Sequence, residues 1–336
     1  MPLVDSIWTA RDHLGALKAR WGIGRMSYTV VPGLYGLGTP DQSSPVLVTA
    51  NYKMSFDRLR RAVAGLDAWI LVLDTDGINV WCAAGKGTFS TDELAHQVAE
   101  TSLDLVTDHR QLIVPQLGAP GVAAHLVTRR VGFDVIWGPV MAEDLPAFLA
   151  AGNVATPEMR RKRFPLRERA ELVAMEMVPA AKLLVPIALA VILVGGIGGE
   201  PNFWAGILDN GLFAGLMLLA AVAAGTVVTP LLLPYLPGRS FSFKGAVAGA
   251  VTIAAILLWR GGGNPAIITQ LDSMSWLLIG IAVSAFLAMN FTGASTYTSL
   301  SGVRKEMRIA VPLQIASAVI GLALWLGSLW LQGGSG

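Results

Sequence analysis

The chain has 336 residues, of which 53% are hydrophobic and only 14% charged, against about 25% charged in ordinary soluble proteins. A net charge of +2 is too small to attract nucleic acid, and no RNA- or DNA-binding motif accompanies it. The single cysteine excludes an internal disulfide framework and a cluster held by this chain's own thiolates, and it fits a reducing compartment.

Residues 1–27 carry charges throughout and hold no apolar run long enough for a signal peptide. Trp8, Leu14, Leu17 and Trp21 are spaced for one face of a lead-in helix. Pro45–Thr49 reads as a strand, and Ser55–Ala64 as a helix with Phe56, Leu59 and Val63 inward. Ala68–Leu73 is a near-continuous apolar run of the kind found in buried parallel strands. Beyond the stretch Ile78–Phe89, a helix starts near Thr91, with Ser90 and Glu93 at capping-box spacing. Leu112–Pro115 and Asp134–Trp137 are further strands, separated by a helix near Val122–Arg130. Glu143–Ala151 closes the series as a last helix. Such alternation predicts an α/β domain with a mainly parallel sheet.

In a sheet of this type ligands bind beyond the carboxyl ends of the strands. The loops there are residues 49–53, 74–77, 115–121 and 138–140, rich in Gly, Pro and Ala, so backbone can approach a large flat ligand. Ordinary turn chemistry explains the same composition. No Gly-x-Gly-x-x-Gly opens a helix, and no phosphate-cradling loop is present.

Between two of these loops lies Cys82. Asn79 is a good N-cap residue after the turn Thr75-Asp76-Gly77, and a helix starting there makes Cys82 its third residue. The sulfur then sits at the positive end of the helix dipole, which favours negative charge. Lys86, four residues on, shares that face. Gly85 leaves a flat patch beside the sulfur, and Ala83 and Ala84 keep the helix slim. Ligation of a metal in a planar macrocycle suits this pattern. So does a buried structural cysteine, the commonest state of a free one.

From residue 181 onward only eleven of the 48 Asp, Glu, Lys and Arg residues remain. Five apolar stretches approach the roughly 20 residues that a bilayer requires. They are Ala181–Gly199, Gly211–Leu233, Gly245–Trp259 (extendable to Phe241), Met274–Phe291 and Ile309–Leu331. Arg160, Arg161, Lys162, Arg163, Arg167 and Arg169 precede the first. Arg239 and Lys244 lie between the second and third, and Arg304, Lys305 and Arg308 between the fourth and fifth. Basic residues thus collect on alternate loops, which places the first half in the cytoplasm and the C-terminus outside. The spans carry no ionisable residue away from their ends, and Thr226, Thr229, Pro230, Pro234, Asn290 and Gln314 are their polar or helix-breaking residues. An anchoring platform and a passage for a small uncharged or soft-metal solute both remain open.

Asn79-Val80-Trp81-Cys82-Ala83-Ala84-Gly85-Lys86 resembles the cap-helix motif of the corrinoid proteins of microbial mercury methylation (the HgcA family). The resemblance covers the whole chain. The first half is also similar to the cobalamin-binding domain of the corrinoid iron-sulfur protein large subunit at Pro45–Lys53, Asp74–Gly77, His109–Gly121 and Gly138–Val140. In the membrane half the five spans, Asn290-Phe291-Thr292-Gly293 and Ser301–Met307 carry the likeness. Those iron-sulfur relatives lack the cysteine and the membrane half. The Asp-x-His-x-x-Gly motif of histidine-ligated cobalamin proteins is absent, in keeping with a cysteine ligand, and His109 is read as structural.

The resemblance implies a Rossmann-like corrinoid-binding domain over residues 1–157, a basic juxtamembrane linker over 158–180, and an all-α domain of five transmembrane helices over 181–336 in the cytoplasmic membrane. It implies cobalamin bound base-off, with Cys82 as the lower axial ligand to cobalt. Residues placed against the corrin are Thr49, Ala50, Asn51, Thr75 and Gly77, then Asn79, Val80, Trp81, Ala83, Ala84, Gly85 and Lys86. Gln116, Leu117, Gly118, Ala119, Pro120, Gly138, Pro139 and Val140 complete the set. The implied reaction is methyl transfer to Hg(II), giving methylmercury, with the thiolate favouring loss of methyl as a carbanion equivalent. Because one cysteine holds no cluster, a separate electron donor is required. In the family this is a ferredoxin-like partner with two 4Fe–4S clusters (HgcB), and a methylated pterin or methyl donor protein supplies the methyl group. The alternatives are a membrane-bound corrinoid methyl carrier of acetyl-CoA one-carbon metabolism and a non-enzymatic membrane sensor or docking protein.

Overall fold

The strands are apolar on both faces, and the period of two sorts their side chains into two separate cores. In the computed structural model, which describes residues 1–197, 202–260, 267–291 and 300–333, the chain divides into the units Met1–Arg163 and Phe164–Gly336. The first holds strands β1 (Leu3–Val4), β2 (Gly33–Leu37), β3 (Val46–Ala50), β4 (Ala68–Leu73), β5 (Gln111–Val114) and β6 (Asp134–Trp137) in the sheet order β1-β2-β4-β3-β5-β6. β3, β4, β5 and β6 run parallel, while β2 pairs antiparallel with β4. The helices are α1 (Ala10–Arg20), α2 (Lys53–Ala62), α3 (Val80–Lys86), α4 (Thr91–Glu100), α5 (Ala124–Val131) and α6 (Leu145–Ala150).

Val46, Val48, Leu71, Leu73, Leu112 and Val114 face one way, onto Ala83 and Ala84 of α3, Leu94 and Val98 of α4 and Val127 of α5. Their neighbours Leu47, Ile70, Val72 and Ile113 face the other way, onto Phe56 and Leu59 of α2 and Leu145 and Phe148 of α6. Helices therefore cover both faces of a mainly parallel sheet, the architecture that the alternation predicts. β1 and β2 lie outside the predicted strands. β1 is a two-residue edge strand paired to β2, and β2 is a strand through its antiparallel pairing with β4.

The lead-in helix exists, but its buried face differs from the expected one. Leu14, Leu17 and Trp21 are exposed, whereas Asp12, Ala16 and Ala19 are buried. The reason is electrostatic. Asp12 pairs with Lys53 Nζ at 2.6 Å and Arg60 Nη2 at 3.0 Å, and the same two cations hold Asp57 at 2.7 and 2.8 Å. Trp8 Nε1 donates to the Asp57 carbonyl at 2.8 Å. Thr9 and Asp12 form a reciprocal capping box, so α1 is locked at its start and clamped onto α2. Burial pushes the Asp12 carboxyl up, but hydrogen bonds from Lys53 and Thr9 outweigh it and hold the group well below the usual carboxylate range. Burial likewise opposes the Lys53 ammonium, and the hydrogen bonds to Asp12 and Asp57 more than offset it.

The second unit holds α7 (Leu166–Val194), α8 (Phe203–Leu231), α9 (Phe241–Trp259), α10 (Ile267–Asn290) and α11 (Leu300–Gly333). These five helices are long and apolar enough to cross a bilayer, as in a multi-pass membrane protein. The first begins well before the expected Ala181, because residues 166–172 are good helix formers and extend the helix past the apolar stretch. The linker expected over 158–180 is therefore mostly helix. Gly199, Glu200, Thr292 and Gly293 lie outside the described residues. Arg169 is buried and donates to the terminal carbonyls of α8 at Leu231 and at Pro230 (3.3 Å), the latter also accepting the Leu233 N–H at 3.5 Å. The Thr226 and Thr229 hydroxyls donate to the carbonyls of Val222 and Ala224 at 2.8 and 2.7 Å. Their donor protons are thus occupied within the helix. α9 and α10 approach through Gly245, Gly249, Gly280 and Ser284, whose hydroxyl donates to the Gly245 carbonyl at 2.7 Å, as small residues permit in membrane bundles.

Two outcomes follow from the ion network. Asp57→Ala leaves Lys53 and Arg60 with only Asp12 of the two carboxylates they share, and breaking a buried pair costs about 3–5 kcal/mol; thermal unfolding of the full chain in detergent measures it. The depressed pKa of Asp12 makes its stabilisation fully present above the unfolded carboxylate value of about 3.9, and acid removes it. The gap between the wild type and Asp12→Asn should be constant from about pH 7 to 5 and narrow below about pH 4.

Candidate functional site

Four parallel strands deliver their carboxyl ends to one edge of the sheet, and the loops that leave them are those expected to bind a ligand. At the centre is Asn51, buried, following β3. Its Oδ1 accepts from the backbone N–H groups of Thr75 (3.2 Å) and Gly77 (3.0 Å), and its Nδ2 donates to Asp74 Oδ1 at 2.8 Å. Thr75 Oγ1 lies 2.8 Å from Asn51 Oδ1 and 2.7 Å from the Ile78 carbonyl, and its one proton serves one of them at a time. One carboxamide thus fixes the turn after β4, where Asp76 (φ 54°) and Gly77 (φ 69°) are both left-handed.

α3 leaves this turn. Asn79 is its N-cap, and its Oδ1 accepts from the Cys82 N–H at 2.9 Å. Gly87, at φ 87°, ends the helix. Ala83 and Ala84 are buried against the sheet, Cys82 is half-buried, and Trp81, Gly85 and Lys86 are exposed. The expected helix start and the expected shared face of Cys82, Gly85 and Lys86 are both present. A Cβ placed on Gly85 would meet no atom of the surrounding elements within 4 Å, so the space over Gly85, one turn on from Cys82, is open.

The loop after β5 packs against α3. A Cβ on Gly121 would lie 2.0 Å from the Phe89 carbonyl oxygen and 3.2 Å from the Ala84 Cα, so only glycine permits this approach. The Thr91 N–H donates to the Gly121 carbonyl at 3.1 Å, and the Thr91 hydroxyl accepts from the Ala123 N–H at 2.8 Å. Ser90 caps α4 as expected, accepting from the Glu93 N–H at 3.2 Å, but the capping box is only half made. The Glu93 carboxylate instead accepts the Asp74 N–H at 2.8 Å, tying α4 to the turn below Cys82.

The proposed contact residues separate by burial. Thr49, Ala50, Asn51, Thr75, Gly77, Ala83, Ala84, Gly118, Gly138 and Pro139 are buried and support the site from within. Asn79, Val80, Trp81, Cys82, Gly85, Lys86, Gln116, Leu117, Ala119, Pro120 and Val140 keep exposed or half-exposed surface. His109 is held through both ring nitrogens, Nε2 3.0 Å from the Ser44 carbonyl and Nδ1 accepting from the Gln111 N–H at 3.2 Å. Arg160, in the basic flank that precedes the membrane half, ties two of the site's loops together. Its Nη1 donates to Gln116 Oε1 (2.8 Å) and to the carbonyls of Trp137 (3.0 Å) and Gly138 (3.2 Å), joining the ends of β5 and β6. No local pattern marks this role, because its partners lie far away in sequence.

A family model described as CO dehydrogenase/acetyl-CoA synthase delta subunit matches residues 23–148. The chain is 34% identical across 122 residues to the acetyl-CoA decarbonylase/synthase complex subunit gamma of Methanopyrus kandleri, covering 36% of this chain and 26% of that relative. The corresponding subunit of Methanosarcina acetivorans is 30% identical over 132 residues, covering 37% and 27%. That of Archaeoglobus fulgidus is 28% identical over 118 residues, covering 34% and 25%. The chain spans about a quarter of the length of these curated relatives.

Chemically the arrangement offers one soft donor, Cys82, on an open face, with a rigid hydrogen-bonded turn behind it. Asn51→Ala would leave the buried N–H groups of Thr75 and Gly77 unpaired, at about 1–3 kcal/mol each. Amide exchange of Thr75, Gly77 and Cys82 in the full chain should accelerate at least tenfold relative to the β4 core.

Proposed function

We propose that the protein is a membrane-anchored, corrinoid-dependent methyltransferase in which Cys82 would hold the corrinoid cobalt and inorganic Hg(II) is the methyl acceptor. The observation that carries this reading is the half-exposed Cys82 on the open face of α3, beside the carboxyl ends of four parallel strands. Likeness to subunits of acetyl-CoA decarbonylase/synthase over this half supports corrinoid methyl transfer as the general chemistry. The octapeptide Asn79–Lys86 supports mercury as the acceptor.

The residues fit a flat macrocycle. Gly85 leaves open space one turn on from the sulfur, and the exposed Ala119 and Pro120 extend a low, apolar rim. When bound, the corrinoid would supply the methyl group for transfer to Hg(II), and Cys82 is the residue that would hold its cobalt. This chain's residues hold and orient. Asn79 fixes the Cys82 backbone, Ala83 and Ala84 seat the helix, and Asn51 with Glu93 stiffens the turn that carries it. Lys86 offers a cation to the polar periphery of the group. One cysteine holds no iron-sulfur cluster, and the resemblance carried by the octapeptide implies a separate ferredoxin-like partner with two 4Fe–4S clusters as electron donor and a methylated pterin or methyl donor protein as methyl source. The alternating basic loops favour the cytoplasmic membrane, with residues 1–163 inside and the C-terminus outside.

The comparisons favour a second reading, a membrane-bound corrinoid methyl carrier of acetyl-CoA-type one-carbon metabolism. Against it stand the lone cysteine and the membrane half.

Cells producing the full chain with its electron donor separate the two readings. Methylmercury formation that falls to background in Cys82→Ala, with a corrin absorption spectrum in the purified wild type, is the expected result. Full activity in Cys82→Ala would overturn the cobalt-ligand role. Bound corrin and methyl exchange without methylmercury would leave the carrier reading standing.

A further inference from the structure

Within the membrane unit, α9 and α11 both pack on α10, and between them runs a groove of about 820 Å³, within the range of ligand-sized cavities. Its floor is made by small residues of α10, Ala282 and Ala285. Its sides include Phe243, Ile309 and Leu313, which are 52%, 62% and 65% exposed. On membrane-crossing helices, that exposure faces hydrocarbon, so the groove opens sideways to lipid.

The mouth is different in kind. Arg239 and Lys305 line it, both exposed, and neither makes an ion pair among the described residues. The one acid there, Glu306, accepts the Ser242 N–H at 2.6 Å. The N-terminus of α9, capped by Ser240, opens at the same place and adds a positive end. Deeper, about two and a half turns beyond Lys305, lies Gln314. It is 9% exposed, its Oε1 has no partner among the described residues, and its Nε2 donates only to Met289 Sδ at 3.3 Å. Helix side chains lean toward the N-terminus, which brings this carboxamide back toward the mouth.

We propose that this groove is a binding site for an anionic glycerophospholipid of the surrounding bilayer. Its phosphate sits between Arg239 and Lys305, an acyl chain lies over Ala282 and Ala285, and an ester group meets the Gln314 carboxamide. A half-turn about the last bond of Gln314 exchanges its two ends and presents the N–H₂ to an ester carbonyl. Each Lys or Arg near a membrane surface contributes on the order of 1 kcal/mol toward an anionic lipid, or about fivefold in affinity. The proposal is independent of the chemistry assigned to Cys82.

Native mass spectrometry of the full chain, delipidated in mild detergent and titrated separately with phosphatidylglycerol and phosphatidylcholine, tests it. Tighter retention of phosphatidylglycerol is expected. Arg239→Gln with Lys305→Gln should lower that affinity about fivefold per residue and leave phosphatidylcholine unchanged, and both side chains are exposed, so the fold should survive. Gln314→Leu should weaken both lipids. Equal binding of the two lipids by the wild type, or a preference that survives the double variant, would overturn the proposal. So would a photo-crosslinker at position 246 that joins two copies of the chain rather than lipid.

Discussion

The carboxamide of Asn51 is the interaction on which the site depends. It stands at the end of β3 and closes the turn after the neighbouring β4 through the N–H groups of Thr75 and Gly77. Two residues in left-handed conformations make that turn sharp, and α3 starts directly after it. The Cys82 position is thereby set by hydrogen bonds to buried groups rather than by a free loop. Buried backbone donors that lose their partner are costly, so the turn has one arrangement, and the helix follows it.

Around this centre, three long-range ties stiffen the rim. Glu93 reaches from α4 to the Asp74 N–H, Gly121 brings the β5 loop against Phe89 and Ala84, and Arg160 spans the ends of β5 and β6. On the opposite face, the network of Asp12, Lys53, Asp57 and Arg60 clamps α1 to α2, whose first residue follows Asn51 by two positions. Rigid support behind a metal ligand is what ligand tuning requires. The functional reading rests on this rigidity together with the open space over Gly85, one turn on from Cys82.

The two halves of the chain solve different problems. The first builds a sheet that is covered on both faces and leaves one edge for chemistry. The second satisfies its polar groups within and between helices, as hydrocarbon demands: Thr226, Thr229, Ser284 and Arg169 all donate to helix carbonyls. Gln314 Oε1, like Arg169 Nε and Trp276 Nε1, has no hydrogen-bond partner among the described residues. It faces a groove with a basic mouth, and this combination sets the membrane half apart from a plain anchor.

Much of this was legible from the chain alone, because the signals were local. Apolar runs marked β4 and β6 to the residue, the capping preference of Asn79 marked the start of α3, and hydrophobic length marked five membrane helices. Where the reading failed, the deciding partner was distant. The face that α1 buries was set by cations on α2, at Lys53 and Arg60, rather than by the spacing of Leu14 and Leu17. β2 became a strand by pairing with β4, and Arg160 joined the site through carbonyls more than twenty residues away. Sequence by itself determined the element types, the lone soft donor and the membrane half, since periodicity, capping and composition act within a few residues. Tertiary structure decided which polar groups meet and which face stays open, since ion pairs and buried hydrogen bonds are settled only when distant segments pack.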